Sequence, residues 1–285
     1  MPQRGAREHR AYDRNGQSGH TASEVSQAWT RIATRWDALA FGLRRAFVLL
    51  LLAVVLGGTM PYFEGLLDAN ERPRLLAGIG LIEARTFAVD GPWAEGVAIG
   101  PDVARAADGH LVPNKPPGAT LVAAVAWVVL EAWSWVSGEG PTLRAYTILA
   151  RVLGGLVPTL VLVVLLWRHE RTWAAHRAHG PGITAAAAKA RVDFATLAWL
   201  LATPAWAYAK LNFGHALAAC LLGAGLLGFA GRPGARINAR EAAIAGSLCA
   251  SAVAVEYTAV FAGPAIAGWL PVSYTHLTLP TILLV

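Results

Sequence analysis

Charge is scarce in this chain. Only 15% of its 285 residues are Asp, Glu, Lys or Arg, against roughly 25% in soluble domains. Hydrophobic residues make up 55% and the mean hydropathy is +0.44. That balance excludes a disordered chain, which lacks the apolar content to fold, and argues against an ordinary soluble globule. Cysteine is nearly absent too. Cys220 and Cys249 both sit in apolar runs, so no disulfide framework is available. Lysine occurs only at Lys115, Lys189 and Lys210, and the net charge of +6 is therefore carried by arginine. A hydrophobic chain uses such charge to mark cytoplasmic loops rather than to bind nucleic acid, and no nucleic-acid partner is expected.

What is present is a series of long apolar runs, and the partner they imply is a lipid bilayer. A membrane span needs about 20 mostly apolar residues. Candidate spans lie at about 46–63, 146–167, 192–209, 214–230 and 242–266, with a further apolar run at 118–136. The fold expected is an all-α polytopic membrane protein. The first span lies too far into the chain for a signal peptide. It follows a polar tail, residues 1–45, with eight Arg and four acids. Residues 168–191 carry five basic residues and one acid, and 231–241 carry three Arg and one Glu. Residues 64–117 carry five basic residues and eight acids. The positive-inside rule puts the first three segments in the cytoplasm and 64–117 outside.

This orientation leaves one apolar run too many. If 118–136 and 146–167 both crossed, the basic segment 168–191 would fall outside. The run 118–136 is the one expected not to cross. It holds Glu131 near its middle, which is costly at a bilayer centre. It also holds Trp127, Trp133 and Trp135, a residue type that prefers the interface. It reads as a juxtamembrane or re-entrant helix on the outer side.

The outer loop, 64–117, is too long to be a bare connection. Leu75, Leu76, Ile79, Leu81 and Ile82 form an apolar stripe expected to lie as a helix on the membrane surface. A short extended piece follows at 87–92, then turn-rich sequence in which Asp90, Asp102 and Asp108 read as turn residues. The loop closes on Asn114-Lys115-Pro116-Pro117, whose prolines stiffen the head of the next helix. His215 stands where a span meets the outer face. Glu256 lies inside the last apolar run, where an ionisable residue points to function or to a structural pairing with Lys210 or an outer-loop arginine. Gly154, Gly155, Gly223, Gly225 and Gly228 are expected to permit close helix packing.

The order of these features resembles the GT-C fold of polytopic glycosyltransferases, which includes protein mannosyltransferases and bacterial aminoarabinose lipid A transferases. Asn70-Glu71-Arg72-Pro73-Arg74 is similar to that family's D-E-x-R-Y pattern, with Asn70 in place of the first acid. Asn114-Lys115-Pro116-Pro117 is similar to its E-K-P-P pattern, with Asn114 in place of the Glu. Phe213-Gly214-His215-Ala216 and Glu256-Tyr257 look like motifs of bacterial relatives. The resemblance covers roughly 46–270 and implies a GT-C-like N-terminal transmembrane bundle with outer-face juxtamembrane helices. It further implies an enzyme of the bacterial inner membrane that transfers a sugar from a polyprenyl-phosphate carrier to an acceptor at the outer face. Such chemistry needs a carboxylate to take the acceptor's proton and cations to stabilise the departing phosphate. Glu71 is the expected base, with Asp68 second. Lys115, Arg74, Asn114, His215 and Glu256 are the expected substrate contacts. No metal ligands are assigned, and a divalent metal is left open as a cofactor. A transporter or permease, or a membrane subunit without chemistry, is the competing reading.

Residues 271–285 break with the Ala/Gly/Arg-rich composition before them. They resemble translated read-through of a sequencing adapter, which implies that the native chain continues beyond about residue 270.

Overall fold

The computed structural model describes residues 42–43, 45–62, 70–177, 185–230 and 237–268. The polar tail, Asp68 and the segment 271–285 lie outside the described residues. The chain divides into two compact units, 1–52 and 53–285. The described part of the first is the start of helix α1 (Arg45–Gly58). Everything below concerns the second.

The protein is mostly helical. The order is α2 (Arg72–Glu83), a two-stranded hairpin of β1 (Val103–Arg105) and β2 (Leu111–Pro113), then α3 (Gly118–Ser137), α4 (Leu143–Arg151) and α5 (Val157–Arg177). These are followed by α6 (Ala185–Ala202), the single turn α7 (Ala205–Tyr208), α8 (His215–Ala230) and α9 (Ala239–Val255). Two helical stretches are long and apolar enough to cross a membrane: α3, and the continuous helix Leu143–Glu170 within α4 and α5. The hairpin amends the all-α expectation. It pairs antiparallel with Val103 opposite Pro113 and Arg105 opposite Leu111. Strands of three residues leave no alternating pattern to read in advance.

Several runs end differently from their apolar composition. The run 192–209 breaks at Thr203-Pro204, because proline cannot donate to the helical ladder. Thr203 Oγ1 instead accepts from Ala205 N–H at 3.2 Å. The run 242–266 breaks at Glu256, which has extended backbone (φ −149°, ψ 113°) and leads into a 3₁₀ turn at Tyr257–Phe261. Glu256 is therefore a helix-end residue and not a mid-helix one. At the other end of α9, Asn238 and Glu241 form a reciprocal capping box.

Helix α2 departs most from expectation. Rather than lying on a surface, it is buried over Pro73–Gly80. Its small residues Ala77, Gly78 and Gly80 let neighbours close in from more than one side. Leu75 and Ile79 pack with Ala123, Ala126, Tyr146 and Ala150 of α3 and α4. Leu76 and Ala77 pack with Val89 and Ala94 of the loop. The buried Tyr146 hydroxyl donates to Leu75 O at 2.8 Å and stitches α4 to α2.

The helices leave one level in two directions. Val122 of α3 lies beside Gly154, Trp127 stacks edge-on against Tyr146 at 5.1 Å, and Leu130 shares a cluster with Leu143. So α3 runs antiparallel to α4, from the level of Arg151 toward residue 143. Between α4 and α5 the helix widens to a π-turn at Val152–Leu156. Beyond it, α5 and α8 pack together, with Leu162 filling the space over Gly223. In turn α8 packs on α9 through Ala218, Gly225, Ala245 and Ala252, the close approach expected of such small residues. At the shared level, the N-termini of α3 and α8 meet the C-terminus of α9. Val255 touches Gly214, and its backbone leaves no room for a side chain at Gly118.

The hairpin is pinned by Asp90. Its Oδ2 accepts Leu111 N–H at 3.1 Å and its Oδ1 faces His110 Nδ1 at 3.2 Å. The Leu111 N–H bond, more than the His110 contact, holds the Asp90 carboxyl below its ordinary value. A depressed folded value means that this stabilisation is complete above the unfolded value of about 4 and is lost as pH falls through the lower folded value. Leu111 amide protection is expected to fall across that acid range in the native chain. In Asp90→Asn it should be low and flat with pH. Hydrogen exchange at Leu111 measures both.

Candidate functional site

The site is the level at which these helix ends meet. Glu71 occupies the N-cap position of α2 and is only 2% exposed. Its Oε1 accepts Arg151 Nε–H at 2.8 Å and Asn212 N–H at 2.8 Å. Its Oε2 accepts Arg151 Nη2–H at 2.5 Å. This two-pronged pairing is the geometry in which guanidinium and carboxylate bind most strongly. Arg151 Nη1 also donates to Pro61 O, tying the end of α1's connection to α4. Asn212 Nδ2 donates to Ala119 O at 3.4 Å, while its Oδ1 lies against the bare backbone of Gly154.

One turn along α2, Arg74 is 1% exposed and donates from Nη1 to Phe213 O. The first turn of α2 thus grips two adjacent backbone groups, Asn212 N–H and Phe213 C=O. Gly214 follows with φ +90°, a left-handed conformation that side-chain-bearing residues rarely adopt, and turns the chain into α8. His215 is thereby set at the head of that helix.

Arg74 Nη2 stands 4.0 Å from Glu256 Oε2, and the same oxygen stands 3.2 Å from His215 Nδ1. Arg74 is thus the partner Glu256 finds. Lys210, the other candidate, lies over the Trp206 ring at 5.2 Å. Lys115 Nζ pairs with Asp102 Oδ2 at 3.2 Å and lies within electrostatic range of His215. Asp102 is therefore an ion-pair partner as well as a turn residue. Asn114 is exposed and only its backbone N–H engages, with Asp102 O at 3.4 Å.

Beside this cluster opens a cavity of about 350 Å³. Leu162, Trp199 and Ala219 give it apolar walls, and Thr159, Tyr208 and His215 give it polar points. The Tyr208 and His215 rings meet edge to face at 4.4 Å. The helix break at Thr203-Pro204 forms part of the cavity wall.

The structure therefore brings Glu71, Arg74, His215 and Glu256 to one place, with Lys115 near them. Arg151, Asn212 and Tyr208 also belong to this place, and no motif in the sequence marks them. Among the described residues, no group of three or more His, Cys, Asp and Glu could hold a metal ion. Comparison with protein-family models, with curated proteins and with solved structures finds no match.

Proposed function

We propose that the chain acts as a GT-C-like polytopic membrane glycosyltransferase, moving a sugar from a polyprenyl-phosphate carrier to an acceptor at the outer face of the bacterial inner membrane. One observation carries this reading. Arg74 and Lys115 of the loop converge with His215 and Glu256 beside a cavity with apolar walls. A donor that is half phosphate and half hydrocarbon needs cations and apolar surface side by side.

The directions of the helices support the same reading. The apolar part of α5, residues 157–167, extends about 16 Å and reaches the thickness of the hydrocarbon layer only together with α4, in the continuous helix Leu143–Glu170. It leads from the site toward the basic segment 168–191. In this reading α5, α8 and α9 lie in the bilayer and the N-terminus is cytoplasmic. Helices α2 and α3 pack against α4, which opens the expected 146–167 span. Helix α3 then does not cross, and its exposed Trp133, Trp135 and Val136 rest in the interface.

The roles follow from placement. Lys115 faces the carrier's phosphate, exchanging Asp102 for it, while the buried Arg74 adds its charge from behind Glu256 and the Phe213 carbonyl. Glu71 spends both oxygens on Arg151 and the Asn212 N–H. It enters this reading as the strut that fixes the site, and any part it takes as a base requires Arg151 to withdraw.

The test uses the full chain in lipid nanodiscs with a panel of radiolabelled polyprenyl-phosphate sugars. Release or transfer of label, lost in Lys115→Ala, is the expected result. A transporter is the second reading, favoured by the helix breaks at Pro204 and Glu256 beside the cavity, since transporters bind cargo at such breaks. Failure to bind or turn over any donor, with solute flux in proteoliposomes, would establish that reading instead.

A further inference from the structure

The site contains a second carboxylate pairing, and it differs from the first in access. Glu71 is 2% exposed and clamped. The His215 side chain is 38% exposed and lines the cavity. Its Nδ1 stands 3.2 Å from Glu256 Oε2, which leaves Nε2 as the ring nitrogen not set against that carboxylate. The ring is further fixed by Tyr208 at 4.4 Å and Phe213 at 6.2 Å, both edge to face. Glu256 is itself placed by Arg74 at 4.0 Å. Glu256 Oε2 is buried and has no hydrogen-bond partner among the described residues, so a modest turn of the imidazole would let it accept Nδ1–H and hold the histidine in one tautomer for proton transfer.

We infer that His215 is the proton acceptor for the substrate hydroxyl held in this cavity, and that Glu256 is its positioning residue. The identity of the step rests on the sugar-transfer reading above. In that step the hydroxyl O–H bond breaks and its proton goes to His215 Nε2. The oxygen's electron pair forms the new bond to the sugar's anomeric carbon. The bond from that carbon to the phosphate oxygen breaks, and the lipid phosphate leaves with the pair. The charged groups that face the imidazole are Glu256 from α9, Arg74 from α2, and Lys115 with its partner Asp102 from the loop. Tyr208 faces it from α7.

The test begins with ¹⁵N-labelled imidazole NMR of the full chain in nanodiscs, with His215 assigned by its loss in His215→Gln. The expected state is a neutral ring protonated at Nδ1, replaced by a mixture of tautomers in Glu256→Gln. Adding n-decanol, a hydroxyl on an apolar chain, should move the Nε2 resonance. Ala219→Phe, which fills the cavity, should abolish that response. A ring protonated at Nε2, or an Nε2 signal indifferent to the alcohol, overturns the inference.

Turnover separates this inference from the reading beneath it. Where a polyprenyl-phosphate sugar is turned over, His215→Gln should lower kcat by about 100-fold or more. Glu256→Gln should lower it less and displace the pH profile of kcat. Transfer that survives His215→Gln overturns the dyad and leaves the transferase. The expected tautomer and alcohol response, without transfer from any donor, upholds the dyad's geometry and overturns the transferase.

Discussion

Arg151→Ala is expected to destabilise the protein by about 3–5 kcal/mol, the usual cost of removing one partner from a buried ion pair. The cause is what stays behind. Glu71, only 2% exposed, would lose both guanidinium bonds that Arg151 supplies. Glu71→Ala should cost a similar amount, because Arg151 would keep the Pro61 carbonyl and lose its counter-charge. Removing both charges with Glu71→Ala and Arg151→Ala together should cost less than the two single changes added. Thermal unfolding in detergent micelles, by near-UV circular dichroism, reads all four proteins. The single variants should melt lower by on the order of 10 °C. Additive losses would show that the two groups do not act as a pair.

Gly155→Ala is the second large effect. A β-carbon there would stand 2.8 Å from Ala209 O and 2.9 Å from Leu211 O. Both are backbone atoms, so no side-chain rotation relieves the clash. The π-turn or the 209–212 segment must shift, and overpacking of this kind costs about 1–3 kcal/mol. The 209–212 segment delivers Asn212 N–H to Glu71. The same substitution should therefore loosen the ion pair, and combined with Arg151→Ala it should cost less than the sum. Gly58→Ala has nothing within 4 Å of the added carbon and serves as the control.

Much of the scaffold is legible from composition. The apolar runs over α3, α5, α8 and α9 announce helices, and Gly223, Gly225 and Gly228 announce close packing. The loop's short elements are not legible, because three-residue strands carry no periodicity. Pro204 signals the break in 192–209, yet a smooth apolar run hides it unless proline is weighed above hydropathy. Glu71, Arg74, His215 and Glu256 stand out as charges at run boundaries. Arg151 carries the same signal, a charge within an apolar run, and reasoning applied to Glu256 would have found it. Asn212 is different in kind. It serves through its backbone N–H, which every residue but proline has, so no side-chain pattern could reveal it. Asp102 looks like a turn residue because it is one, and its pairing with Lys115 depends on how the hairpin folds back.

The Glu71 clamp also fixes an order of events during synthesis. Glu71 meets Arg151 across 80 positions and Asn212 across 141, and Arg74 meets Phe213 across 139. At ordinary elongation rates the last of these partners follows the first by on the order of ten seconds. For that interval a carboxylate and a guanidinium that end up almost fully enclosed must remain hydrated, and so must the turn of α2 that carries them. The apolar side of α2 is covered earlier, as residues 89–150 arrive, so the polar first turn is the last part to close. Such a nascent chain offers a chaperone or a protease a target that vanishes once residues 212 and 213 arrive.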